Sequence, residues 1–209
     1  MKARARRLRG FTLIEVLVAM VIMAIMAVMA WQGVDGIVRT RAASQERLEQ
    51  TLRMSTVMAQ WEQDLASIQD TTVVPAALSC DGATVRIARR TPDGLQIVAW
   101  SVRPGTNGSN WERWAGPSVT TAGALTDSWL RSLQLQGGEV GNLRTLTGLS
   151  GWQVYFYQGN GWANCQSTGD TAASAPSRAQ LPKGVRIVLS FEPGSGLNGD
   201  LTRDTLIGP

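Results

Sequence analysis

Between Phe11 and Trp31 the chain is apolar at every position except Thr12 and Glu15. At about 1.5 Å of rise per residue, a helix over this run matches the roughly 30 Å hydrocarbon core of a bilayer. The pattern predicts a membrane-spanning half-helix over 11–31. Beyond Trp31 the polarity changes but the helical signal continues. Arg39 to Ile68 contains no Gly or Pro and is rich in Glu, Gln, Arg, Leu, Met and Ala, all good helix formers. Within it Met54, Val57, Met58, Trp61, Leu65 and Ile68 recur at three- and four-residue steps and make one apolar stripe. The stripe is expected to pack on the chain's own C-terminal part rather than on a partner. Gly33 and Gly36 offer a place for a bend, and Thr71, Thr72 and Val74-Pro75 close a helix half placed at 32–70.

Residues 71–209 change period. Val85 to Arg90 and Leu95 to Arg103 flank Thr91-Pro92-Asp93-Gly94, whose Pro and Gly suit a tight hairpin turn. Trp111 to Trp114 reads as a short strand. Asp127 is the expected cap of a short helix carrying Trp129, Leu130, Leu133 and Leu135. Trp152, Val154 and Phe156 alternate with Gln153, Tyr155 and Tyr157 before a turn at Gln158-Gly159-Asn160-Gly161, and the last predicted strand is Val185 to Phe191. Residues 167–177 hold Ser, Thr and Ala but no large apolar side chain and read as a mobile surface loop. A long helix followed by a β-rich head is the α+β class.

The one acid inside the apolar run sets the chemical question. A charge at the centre of a bilayer is unfavourable by about 2.5 to 3.5 kcal/mol on insertion scales, so Glu15 reads as functional, with a cation held in the membrane as its partner. Lys2, Arg4, Arg6, Arg7 and Arg9 crowd the N-terminal side with no acid among them. The positive-inside rule keeps that end in the cytoplasm and exports everything after Trp31. A cleavable secretory signal would end in an A-x-A-like site, whereas Ala19, Ala24, Ala27 and Ala30 never fall two apart. A plain anchor carrying a stray glutamate is the bland alternative.

The string Arg9-Gly10-Phe11-Thr12-Leu13-Ile14-Glu15-Val16-Leu17 resembles the processing site of type IV pilins and type II secretion pseudopilins. The resemblance implies a pilin-like fold, with the long helix packed on a mostly antiparallel β-sheet head. It further implies a cytoplasmic leader, 1–10, removed between Gly10 and Phe11 by a prepilin peptidase and methyltransferase that then N-methylates Phe11. It also supplies the cation. An α-amino group with a reference pKa near 8 is largely protonated at neutral pH, so Glu15 of one subunit and Phe11 of the next neutralise each other in the assembled filament. Within the superfamily, Trp61-Glu62-Gln63-Asp64-Leu65, then Gly161-Trp162, Leu181-Pro182-Lys183-Gly184-Val185-Arg186-Ile187 and Leu201-Thr202-Arg203 are, in that order, similar to the minor pseudopilin J of type II secretion. One departure is Ala163-Asn164-Cys165-Gln166, where J proteins often carry a second Trp. J-type subunits join I-type, K-type and H-type minor pseudopilins at the filament tip and prime assembly of the major pseudopilin in the bacterial inner membrane, with heads in the periplasm. A minor pilin of a type IV pilus shares the same N-terminus and is the nearest rival.

Charge and residue counts narrow the other classes. The chain has 20 Lys and Arg against 16 Asp and Glu. Removing the leader takes five of the bases, leaving 15 against 16. No dense basic patch remains, so the footprint of a nucleic-acid binder is missing, and Arg86, Arg89 and Arg90 are read as a solvated strand face. There is no histidine, which removes the commonest general base and most zinc sites. No Gly-x-Ser-x-Gly, Walker or dinucleotide pattern stands in strand-turn-helix context, and Asp200, Arg203 and Asp204 lack EF-hand spacing. The expectation is no catalytic residue, no metal, no cofactor and no small-molecule substrate. A periplasmic enzyme would need two buried acids converging in a pocket of the head. The eight Trp admit a carbohydrate- or exoprotein-binding face, although core and hairpin packing is the commoner use.

Cys80 and Cys165 are the two cysteines. Both are exported by this topology, and an even count in an oxidising compartment favours a disulfide. The alternative is two thiols whose Cα atoms lie more than about 7 Å apart, too far to bridge.

Overall fold

The computed structural model describes residues 11–166, 180–197 and 199–208. The expected loop at 167–177 lies outside them. The chain divides into two compact units, residues 1–49 and 50–209. Helix α1, Leu13–Ala66, runs through the border. It is unbroken at Gly33 and Gly36, and it stops four residues short of the expected end. Its last part therefore counts with the head.

In the first unit the helix is exposed along nearly its whole length, including Leu17, Ile22, Met26 and Trp31. It is long and apolar enough to cross a membrane. Asp35 and Arg39 pair one turn apart at 2.6 Å, an exposed contact of the kind that adds a few tenths of a kcal/mol to a helix.

The second unit is an antiparallel sheet with a helix on each face. Its strands are β1 (Leu78–Cys80), β2 (Thr84–Thr91), β3 (Gly94–Gly105), β4 (Gly108–Ala115), β5 (Asn142–Gln158), β6 (Gly161–Asn164), β7 (Gly184–Phe191) and β8 (Asp200–Leu206). They follow the order β1-β2-β3-β4-β5-β7-β8, and β6 pairs with β5. The α+β class and the long helix followed by an antiparallel sheet are as the sequence predicts. So is the first hairpin, which closes at Thr91↔Gly94. Gly94 holds φ +134°, and a Cβ there would lie 2.3 Å from the Val119 carbonyl oxygen, so the turn requires glycine.

Alternation sorts the strands into two faces. Val85, Ile87, Val98, Trp100, Trp111, Val154, Phe156 and Ile187 turn toward Val57, Met58, Trp61 and Leu65 of α1. Ala88, Ile97, Ala99 and Trp114 turn the other way, toward Leu125 and Trp129 of α2 (Ala122–Ser132). The α1 stripe is thus covered by the chain's own sheet. At its heart Trp61 meets Trp100 edge-on at 5.6 Å, and Trp100 lies 4.4 Å from Trp111. Such pairs add about 0.5 to 1.5 kcal/mol beyond the area they bury.

Three local readings are corrected. Asp127 does not cap α2; it is exposed within the helix, and Thr121 is the N-cap, accepting from the Ala124 N–H. Arg86 and Arg89 are not a solvated face. Arg86 is 6% exposed and donates to the Ser132 carbonyl at 3.2 Å and to Asp81 at 2.7 Å, while Arg89 is held against α1. Of that trio only Arg90 is exposed. Partial burial works to raise the Asp81 carboxyl, but Arg86 and the N–H groups of Thr84 and Ala83 outweigh it and hold it below the usual range.

Candidate functional site

Two places concentrate polar groups where polar groups are costly: the start of α1 and its last turns. The start is the sequence-predicted site. Gly10 lies outside the described residues, and Phe11 is exposed. Thr12 precedes the first helical residue, Leu13. Its N–H and its hydroxyl both donate to Glu15 Oε2 at 2.9 Å, and the Glu15 N–H donates back to Thr12 Oγ1 at 3.4 Å. This reciprocal arrangement is a capping box, in which N-cap and N3 side chains satisfy each other's orphan amides. An anion in the first turn also suits the helix dipole. From the sequence Glu15 is expected to find its partner on a neighbouring chain, and the local geometry adds a second role. Yet Thr-x-x-Glu directly before an apolar run is the signature of this local motif, and the carboxylate has hydrogen bonds within its own subunit.

The second place was not foreseen. Asp64 is fully buried on α1 and takes five hydrogen bonds. Arg89 Nη1 of β2 donates at 2.5 Å, and Arg113 of β4 donates through Nε at 2.7 Å and Nη2 at 2.9 Å. Trp100 Nε1 of β3 donates at 2.8 Å and Gln60 Nε2 at 3.0 Å. The Arg113 guanidinium also stands 5.8 Å from the Trp100 ring centroid, and Arg89 is steadied by Gln96 Oε1 at 3.0 Å. One carboxylate thus gathers three adjacent strands. The signal lay in the spacing: Asp64 falls three residues after Trp61 and four before Ile68, inside the apolar stripe.

The other buried acid among the described residues is Glu112. It follows Trp111 and precedes Arg113 on β4, so it points to the opposite face from Asp64. It accepts from Asn142 Nδ2 at 2.8 Å and pairs with Arg103 and Arg144 at 3.7 and 3.8 Å. The two acids do not converge. Among the described residues no group of three His, Cys, Asp or Glu stands close enough to hold a metal.

Cys80 and Cys165 form a disulfide, with Cα atoms 5.8 Å apart. It ties the end strand β1 to the residue following β6, and Trp152 Nε1 reinforces the junction by donating to the Gly82 carbonyl at 2.8 Å. The sheet therefore curls far enough around α1 to bring strands from well-separated positions together. Most of the head's Trp are core. Trp162, 37% exposed, lies beside Tyr157 at 5.2 Å and under the Arg186 guanidinium at 4.3 Å. Arg186 is itself clamped to both carboxylate oxygens of Asp204 at 2.6 Å, so one face of the Trp162 ring is covered by a guanidinium held in place.

A family model described as the prokaryotic N-terminal methylation motif matches residues 5–31. No curated protein matches the chain. The matched stretch contains the Gly10-Phe11 junction, Thr12 and Glu15, and it supports a type IV pilin-like protein, of a pilus or a pseudopilus. It implies processing by a prepilin peptidase and assembly with pilin-type partners, and the apolar helix is consistent with an N-terminally anchored membrane protein.

Proposed function

We propose that this chain is a minor pseudopilin of type II secretion, of the J type, and that it works without catalysis of its own. The observation that carries the reading is the methylation motif at 5–31 running directly into a helix long enough to span a bilayer. The ordered set of head motifs from Trp61 to Arg203 supports the J type over other members. In this reading the protein sits in the bacterial inner membrane with its head in the periplasm. It joins I-type, K-type and H-type partners at the tip of the filament and primes addition of the major pseudopilin, whose growth pushes folded proteins through the outer membrane. The apolar half of α1 stays in lipid until a partner helix is available, and a charge in that setting favours the register that neutralises it.

Two outcomes test the N-terminus. Mass analysis of the protein recovered from membranes should find Phe11 first and carrying one methyl group; an intact Met1 start would remove the processing reading. Changing Glu15→Val keeps the segment apolar, so membrane insertion should persist while co-purification with I-type and K-type partners falls. The Thr12 hydroxyl loses its partner in that variant too, so Thr12→Ala is the control that separates loss of the cap from loss of the charge. Unchanged co-purification of Glu15→Val would show that the heads alone assemble the tip. Genes beside this one decide between the two filament types. An outer-membrane secretin with other pseudopilins supports secretion, and a pilus-tip adhesin supports the minor pilin of a type IV pilus.

A further inference from the structure

The path of paired strands has two ends, and only one of them is closed. At β1 the edge is three residues long, and the bond between Cys80 and Cys165 staples it down. At the other end lies β8, seven residues paired with β7 in an unbroken antiparallel register from Gly184↔Leu206 to Ser190↔Asp200. The Ile207 N–H donates to the Lys183 carbonyl at 3.0 Å in the same register, which fixes the phase of the ladder. Backbone groups of Leu201, Arg203 and Thr205 therefore face β7, and those of Asp200, Thr202, Asp204 and Leu206 face away from the sheet. Among the described residues no backbone hydrogen bond reaches that outer row.

Natural sheets blunt such an edge with lysine, proline, a bulge, an inward charge or a covering element. β8 has no lysine, no proline and no register shift. Its inward charge, Arg203, is already paired with Glu62 of α1, and Asp204 is clamped by Arg186 of β7. Two side chains along the open row stay uncommitted: Asp200, exposed and without an ion pair among the described residues, and Leu206, 85% exposed. A second copy of this chain fits poorly. An antiparallel self-pairing centred on Thr202 sets Asp200 opposite Asp204, one centred on Arg203 sets that arginine opposite itself, and one centred on Asp204 does the same with the acid. Like charges directly opposite are destabilising. We infer that the outer edge of β8 is a docking site for an extended segment of a different protein, which adds to the sheet as a further strand and sets a basic side chain against Asp200 and an apolar one against Leu206. Main-chain bonds supply the affinity of such an addition, and the side chains choose the partner.

The probe is a blocked, threonine-rich, strand-forming peptide with lysine near one end and valine near the other, added to the full chain in detergent. A matched peptide carries glutamate in place of lysine. Amide hydrogen exchange followed by NMR should slow at Thr202, Asp204 and Leu206 when the lysine peptide is added, and stay unchanged at Arg203 and Thr205, whose N–H groups already face β7. Thr202→Pro deletes one outward N–H and no ladder bond, a place where an edge strand accepts proline, so the head should stay folded and the protection should be lost. Asp200→Lys should weaken binding of the lysine peptide about fivefold, the scale of one cross-strand charge pair, and favour the glutamate peptide instead. That variant carries the test if Thr202→Pro does not fold. The docking edge is overturned if the lysine peptide protects none of the three amides, or if both peptides bind the wild type and Asp200→Lys equally. Protection before any peptide is added would also overturn it, since the edge would then be filled by the chain itself or by a second copy.

Discussion

Changing Asp64→Ala should lower the unfolding free energy of the head by about 3 to 5 kcal/mol, the usual cost of removing one partner from a buried ion cluster. The substitution leaves the largely buried Arg89 and Arg113 without their shared anion and strips Trp100 Nε1 of its acceptor. Because whole domains are stable by only about 5 to 15 kcal/mol, this is a large share of the total. For a chain of this size it corresponds to a drop in melting temperature of roughly 6 to 20 °C. Thermal unfolding followed by tryptophan fluorescence is well suited to the measurement, since Trp61, Trp100 and Trp111 surround the site. Asp64→Asn keeps one acceptor oxygen, and with it the three contacts made at Oδ1 or the two made at Oδ2, and should fall between wild type and alanine. A loss under about 1 kcal/mol for Asp64→Ala would mean that water reaches the cluster and that it is not the buried site described here.

Loss of the disulfide ranks second. Cys80 and Cys165 are 85 residues apart in sequence, and closing a loop that long restricts the unfolded chain by up to about 4 to 5 kcal/mol in the chain-entropy model, with measured losses of about 2 to 5. A Cys80→Ala, Cys165→Ala variant should therefore unfold at clearly lower denaturant than the oxidised protein, with its folded fluorescence unchanged. Reductant should move the wild type to the same midpoint and leave the double variant where it is. If reductant shifted neither, the bond would be absent from the protein in solution. Thiol titration of the denatured, unreduced chain should agree by finding no free sulfhydryl.

How far the fold could be read in advance depended on whether local pattern and tertiary role agreed. The α1 stripe and the Thr91–Gly94 hairpin were legible because one periodicity or one turn chemistry specifies each. The first half of β5 was not, for a physical reason. Leu146 and Leu149 are both buried yet fall three apart where a strand repeats every two, and the irregular register opposite Trp111 and again between Leu149 and Gly151 absorbs the difference, while Leu143 is exposed. β1 is three residues long, and β8 is an edge strand rich in charge, so neither presents an apolar alternation. The α2 cap was misplaced because an acid drew attention from Thr121, which has the same capping chemistry. At the site, Gly10, Phe11 and Glu15 were visible in a short motif, but the role of Thr12 needed the geometry of the first turn. Asp64 was visible only as a letter within a resembling segment. Its partners come from strands 25, 36 and 49 residues away, and no local pattern reports a pairing made by the sheet.

The bond between Cys80 and Cys165 makes a covalent ring of everything from the last residue of β1 to the end of β6, including β2 to β5 and α2. A protease that cuts the exposed turn at Thr106-Asn107, or the exposed stretch around Val140, opens the ring without dividing the molecule. The N-terminal piece keeps α1 and β1, the C-terminal piece keeps β5 to β8, and the two stay joined through sulfur. Tethered pieces face each other at the high effective concentration of one chain, so a nicked head retains the means to close again around α1.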